Sequence, residues 1–201
     1  MGKKKTRGPK KTKQNKKSKK QLIIGFLIVF LMASSGFGIM FSGFSSETES
    51  QAYKDLSFTR TNDGFQTTIN EKPFKAYYLP QEVESINVSD EIIQSLASTK
   101  QIDVTSDPDS PAARDIAVAQ FYLTDTASRH MNTYVRNGFT KENPHNISII
   151  NCSSQVPVLV YQVSDETRIT NEGSCIHLYG SGADSFMRMT TRLVYGMLGV
   201  I

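Results

Sequence analysis

The chain has no tryptophan, and only two cysteines and three histidines in 201 residues. These scarcities exclude much. Cys152 and Cys175 leave a zinc site short of ligands, even with His177 on the same strand face as Cys175, because a structural site needs four and usually spaces them more tightly. His130, His145 and His177 belong to no H-E-x-x-H or H-x-x-H arrangement. There is no G-x-S-x-G elbow and no P-loop, and Gly180-Ser-Gly182 lacks the third glycine of a dinucleotide fingerprint. No cofactor is expected, and the histidines read as structural or solvent-exposed.

Charge is missing in a pattern. The first twenty residues contain eleven of the 23 basic groups and no acidic one, whereas everything after them carries twelve basic against nineteen acidic groups, a net of −7. Such asymmetry points to two environments. Between Gln21 and Ser46 no side chain is charged. As a helix, residues 22–44 would cover about 34 Å, enough for a hydrocarbon core of about 30 Å. A secretory signal would have a shorter apolar core, although "MASSG" at Met32–Gly36 offers small residues for cleavage. The length of the run favours an uncleaved anchor.

Basic residues beside a span stay on the cytoplasmic side, and the other flank begins "SSETES" with Glu47 and Glu49. The reading is a cytoplasmic polybasic tail (1–20), a transmembrane helix (21–44), a Ser-rich linker (45–52) and one extracytoplasmic domain (53–201). The protein is expected in the cell membrane as a single-pass chain. Lys16, Lys17, Lys19 and Lys20 would contact anionic lipid headgroups. No aromatic residue lies among the lysines to stack on bases, so nucleic acid is disfavoured as a partner. The start "MGKKKT" matches a myristoylation pattern, which adds little to a chain that already spans the membrane. Ser34, Gly38 and Ser42 recur every fourth residue, a small-residue stripe on which two helices can self-associate.

In the outer domain, Asn62-Asp63-Gly64 between alternating runs predicts a hairpin, and "KPFKAYYLP" a strand ended by Pro80. Ser89 caps a short helix, "QIDVT" reads as a strand, and Ser110-Pro111 starts a helix with Ile116, Ala119 and Leu123 as its apolar stripe. A further helix is expected through Met131, Tyr134 and Val135, ending at Asn137-Gly138. "ISIINC", "VPVLVYQV", "RIT" and "CIHLYG" predict strands, and Asp184 caps a last helix carrying Phe186, Met189, Leu193 and Met197. The fold class is α+β, or α/β: a single extracytoplasmic domain built on a mixed sheet with helices packed on it.

Outside the cytoplasm, Cys152 and Cys175 are expected to form a disulfide. Asn87, Asn146 and Asn151 each begin an N-x-S sequon and are glycosylation candidates. "SDPDSPAARD" places Asp103, Asp107, Asp109 and Asp115 at a strand-to-helix junction, with Asp107 and Asp109 as candidate metal or ligand carboxylates. As a calcium loop it lacks the central glycine and terminal glutamate, and its residues suit a capping turn. Two segments, "TNDGFQTTINEKPFKAYYLP" (Thr61–Pro80) and "CIHLYGSGADSFMRMTTRLVYGMLGVI" (Cys175–Ile201), resemble small single-pass membrane proteins of archaea that have no assigned activity. The resemblance implies an envelope protein and transfers no active residue. The functional expectation is an anchored binding or assembly domain whose partners are lipids, envelope proteins or a second copy. The alternative is a tethered, hydrolytic enzyme using the Asp103–Asp115 region.

Overall fold

The computed structural model describes residues 50–201 and, nearer the N-terminus, Ile23, Ile24, Phe26 and Leu27, which are helical and exposed. Lys16, Lys17, Lys19, Lys20, Ser34, Gly38 and Ser42 lie outside the described residues, as does most of the apolar run. Among the described residues no helix is long and apolar enough to cross a membrane.

The domain opens with a four-stranded antiparallel meander: β1 (Ser50–Tyr53), β2 (Leu56–Thr61), β3 (Gly64–Ile69) and β4 (Lys72–Ala76). The Asn62-Asp63 turn forms where expected, with Thr61 facing Gly64 in the register. Gly64 has φ +131°, and a side chain there would meet the Ala76 carbonyl, so glycine is required. Alternation puts Phe58, Phe65, Ile69, Phe74 and Ala76 on one face, and all are buried. β1 begins inside the segment read as linker, so the folded domain starts three residues earlier than expected.

Two short helices follow, α1 (Pro80–Val83) and α2 (Asp90–Ser98). Ser89 caps α2 as predicted, its Oγ accepting from the Ile92 amide at 3.4 Å. The chain then builds a second sheet, which is the mixed one. Its strands are β5 (Gln101–Ser106), β6 (Tyr134–Phe139), β7 (Val158–Val163), β8 (Arg168–Glu172) and β9 (Cys175–Gly180), in the order β6-β5-β7-β9-β8. All neighbours are parallel except the β8–β9 pair. The domain is therefore α+β, with one antiparallel and one mixed sheet.

Helix α3 (Ala113–Thr126) joins β5 to β6, continues as a π-turn over Ala127–Met131 and stops at Asn132, which is left-handed with φ 52°. The stop precedes Tyr134, so the helix predicted across Met131 to Gly138 is instead half strand. Tyr134 and Val135 are good strand formers, and β6 pairs with β5 from Gln101↔Tyr134 to Ser106↔Phe139. Gly138 is not a helix cap. Its missing side chain admits the Ser148 carbonyl and Ile150, which cross within 2.7 Å of where a Cβ would stand.

The last helix, α4 (Ala183–Met197), is buried on almost every side. Tyr195 packs against Phe58 and Phe74 of the meander, while Phe186 packs against Tyr161 of β7. One apolar core thus joins both sheets through α4. Each fully buried aromatic or aliphatic side chain contributes roughly 1.5–3 kcal/mol of transfer free energy. The helix is capped by Gly182 and Ser185, whose Oγ accepts the Gly182 amide at 3.1 Å, rather than by Asp184. Asp184 lies in the first turn and pairs with Arg188 at 2.8 Å.

Candidate functional site

The strands of the mixed sheet alternate between two faces, and only one faces the main core. The other presents Asp103 and Thr105 of β5, Arg136 of β6, Val158, Val160 and Gln162 of β7, and Cys175, His177 and Tyr179 of β9. No helix covers it. Its cover is the loop after β6, from which Ile150 packs on Val158, Val160 and Cys175 in a separate small cluster. Only a bridge between Phe139 and Ile149 is strand-like there, so "ISIINC" forms no strand. Polar Asn143 and Asn151 fold it into side-chain-capped turns instead: Asn143 Oδ1 receives the His145 and Ile147 amides, and Asn151 Oδ1 the Ser153 amide.

Two devices fasten this cover. The first is the predicted disulfide, Cys152–Cys175, with Cα atoms 5.3 Å apart. The ligand-capable atoms of Cys152, Cys175 and His177 all lie within 4.8 Å of one another. With the two sulfurs bonded to each other, no thiolate remains for a metal. The second device is Asp103, fully buried, whose carboxylate accepts from Arg136 Nε at 2.9 Å, Gln101 Nε2 at 3.0 Å and Ser154 Oγ at 2.8 Å. Burial opposes its charge, but these hydrogen bonds outweigh that and hold its pKa below the ordinary carboxylate value. Asp103 is a structural anion that ties the loop to β5 and β6.

Asp107 and Asp109 lie elsewhere, beyond the carboxyl end of β5. With Ser110, Pro111, Thr140, Tyr161, Gln162, Val163 and Tyr179 they line an open cleft of about 570 Å³. The chain leaves β5 toward β6 on one side and β7 toward β9 on the other, so this cleft occupies the switch point where α/β sheets bind ligands. The aspartates are not free. Lys141 contacts Asp107 and Asp109, each at 2.9 Å, and Asp107 Oδ1 also accepts the Asp109 amide at 2.8 Å. Hydrogen bonds from Lys141 and from that amide lower the Asp107 pKa. The arrangement is the capping turn that the sequence suggests, with a lysine seated where a cation would go. Asp115 stands apart again, 3.8 Å from where a Gly182 Cβ would be. The structure therefore does not gather the four aspartates into one site.

Of the other residues that line the cleft, Tyr179 is stacked by neighbours outside it. Tyr179 lies between the His177 ring, 5.7 Å away and nearly parallel, and the Arg168 guanidinium at 4.5 Å. His177 Nδ1 is 3.1 Å from Gln162 Oε1, and Ser110 Oγ accepts the Ala112 amide. Among the described residues no histidine is hydrogen-bonded to a serine, threonine or cysteine, so no nucleophile–base pair is assembled. His130 is partly buried against Phe74 and its pKa is depressed, first by burial. Of the three sequon asparagines, Asn87, Asn146 and Asn151 are all exposed. Asn151 is crowded, with Cys152 beside it and its Oδ1 engaged by Ser153.

Lys141 and Arg136 were invisible as site residues, since nothing near them marks a motif. A clue did exist for Val118 and Phe121, which fall off the Ile116–Ala119–Leu123 stripe of α3 and are exposed in the structure. Replacing Lys141 by alanine should leave the fold intact and raise the Asp107 titration midpoint, read by carboxyl-carbon NMR. An unchanged midpoint would show that Lys141 does not govern the pair. No family model matches the chain, and neither the curated proteins nor the solved structures contain a significant match.

Proposed function

We propose that the chain is a membrane-anchored envelope protein whose C-terminal domain lies outside the cytoplasm and works by binding or assembly. The observation that carries this reading is the Cys152–Cys175 disulfide. Structural disulfides persist in oxidising compartments, which is where the cationic N-terminal flank would place this domain. The exposed helical residues Ile23, Ile24, Phe26 and Leu27 also suit a lipid setting. Binding is favoured over turnover because Asp103 is consumed by Arg136, and Asp107 and Asp109 by Lys141.

The tethered hydrolase keeps one supporting observation, the cleft at the switch point with two carboxylates at its rim. The discriminating experiment is crosslinking in intact cells followed by mass spectrometry of the captured complex, with a version lacking residues 3–20 in parallel. Stoichiometric envelope proteins captured with and without the tail support assembly. Absence of any specific partner, together with stoichiometric metal lost on Asp107→Ala and Asp109→Ala, would support the enzyme.

A further inference from the structure

The most exposed aromatic side chain of the domain is on α3. Phe121 is 72 % exposed, Val118 one turn earlier 49 %, and Tyr77, beyond β4, 38 %. Isolated apolar side chains on a surface are ordinary, but these are contiguous: Tyr77 stacks edge-on against Tyr122 at 5.2 Å, and Phe121 and Tyr77 line one groove of about 280 Å³ between β4 and α3. The rim is cationic. Lys75 lies 5.7 Å from the Tyr77 ring, Lys72 Nζ donates to the Arg129 carbonyl at 2.9 Å, and Arg129 lines the groove itself. Arg114 continues the exposed α3 stripe one turn before Val118. Two acids share the region, Asp63 paired with Lys75 and Asp125 paired with Arg129. Four basic against two acidic groups stand out on a chain whose balance after its tail is −7.

The register says where the chain enters the domain relative to this patch. Ser50, Thr59, Gln66 and Lys75 form one row across the meander, so the chain enters the domain at the end of the sheet where β4 leaves toward Tyr77. Three strand spacings, about 14 Å, separate Ser50 from Lys75. Only five residues separate the last apolar residue of the N-terminal run, Phe44, from Ser50, a reach of at most about 22 Å. On the anchored reading of the chain, on which this inference rests, this short connection ties the patch-bearing end of the meander to the anchor.

We propose that the Tyr77–Val118–Phe121 patch and its lysine and arginine rim dock on the anionic surface of the membrane that anchors the chain. Aromatic rings settle at the headgroup boundary and basic side chains draw in anionic lipid, which is the chemistry this patch presents. A second copy is the poorer occupant, because its matching patch would bring the same lysine and arginine rim against this one.

The test uses the absence of tryptophan. Full-length protein carrying Phe121→Trp is reconstituted in vesicles of phosphatidylcholine, or of phosphatidylcholine with phosphatidylglycerol, each with brominated acyl chains. A reference version carries Glu166→Trp, in the exposed turn between β7 and β8. The expected result is a blue-shifted indole at position 121 that the brominated chains quench, more strongly with phosphatidylglycerol, while the reference indole stays unquenched. Lys72→Gln or Lys75→Gln should each weaken the docked state by about fivefold, the equivalent of roughly 1 kcal/mol per basic residue at an anionic surface. An unquenched, red-shifted indole on protein that still floats with the vesicles after alkaline washing would overturn the docking and leave the anchor standing. Protein released by that wash would overturn the anchor, and the docking with it. A blue shift without quenching, accompanied by crosslinked dimers, would assign the patch to a second copy and overturn the lipid reading.

Discussion

Replacing Cys152 and Cys175 together by alanine should lower the thermal midpoint of the protein by about 6–12 °C. The bridge closes a loop between residues 23 apart in sequence. Opening a loop of that size restores denatured-state entropy worth roughly 3 kcal/mol in the chain-entropy model. For a domain near 150 residues each kcal/mol moves the midpoint by about 2–4 °C. The folded state also suffers, because Cys175 is fully buried under the loop with Ile150, Val158 and Val160, and among the described residues no helix covers that face. Circular dichroism melts with and without a dithiol reductant give the answer. The reductant should reproduce the drop in the natural protein and do nothing further to the variant. Equal midpoints for the two proteins would mean that the turns centred on Asn143 and Asn151 hold the loop unaided.

Arg136→Ala should cost about 3 kcal/mol at neutral pH, because removing one partner strands a buried charge. Arg136 itself is half-exposed and loses little by truncation; the penalty belongs to Asp103, which is left with Gln101 and Ser154 alone. The pH dependence separates this from a simple packing loss. In the natural protein the Asp103 pKa is depressed, so its contribution is present above the unfolded carboxylate value of about 3.9 and is lost as pH falls through the lower folded value. In the variant, burial without the guanidinium should raise the folded pKa above that of the unfolded chain. The defect is then largest at neutral pH and shrinks as acid protonates the carboxyl. Denaturant melts from pH 7 toward pH 4 should converge, and Asp103→Asn added to Arg136→Ala should recover part of the loss. A deficit constant with pH would assign Arg136 a packing role only.

Local signals carried the parts of the fold they govern. Asn62-Asp63-Gly64, the Ser89 cap and the β-rich run Cys175–Gly180 each act through backbone preferences confined to a few residues, and each forms as expected. Tyr134–Phe139 fails for the opposite reason. Its Asn137-Gly138 pair imitates a helix stop, while the deciding facts are parallel pairing with β5 and a loop crossing over Gly138, both long-range. β1 is hidden in polar residues because an edge strand with half-buried side chains has little apolar pattern. At the cleft, Asp107 and Asp109 are visible as a turn, but Lys141, which neutralises them, lies 34 residues beyond Asp107. Spacing alone could not supply it.

The decisive measurement is thiol trapping in living cells. A membrane-permeant maleimide is added before lysis, and the protein is isolated without reductant and weighed by mass spectrometry. The anchored, outward-facing domain proposed above requires Cys152 and Cys175 to be unlabelled until a reductant is supplied. Full labelling of both cysteines in the cell would place the domain in a reducing compartment and contradict that topology.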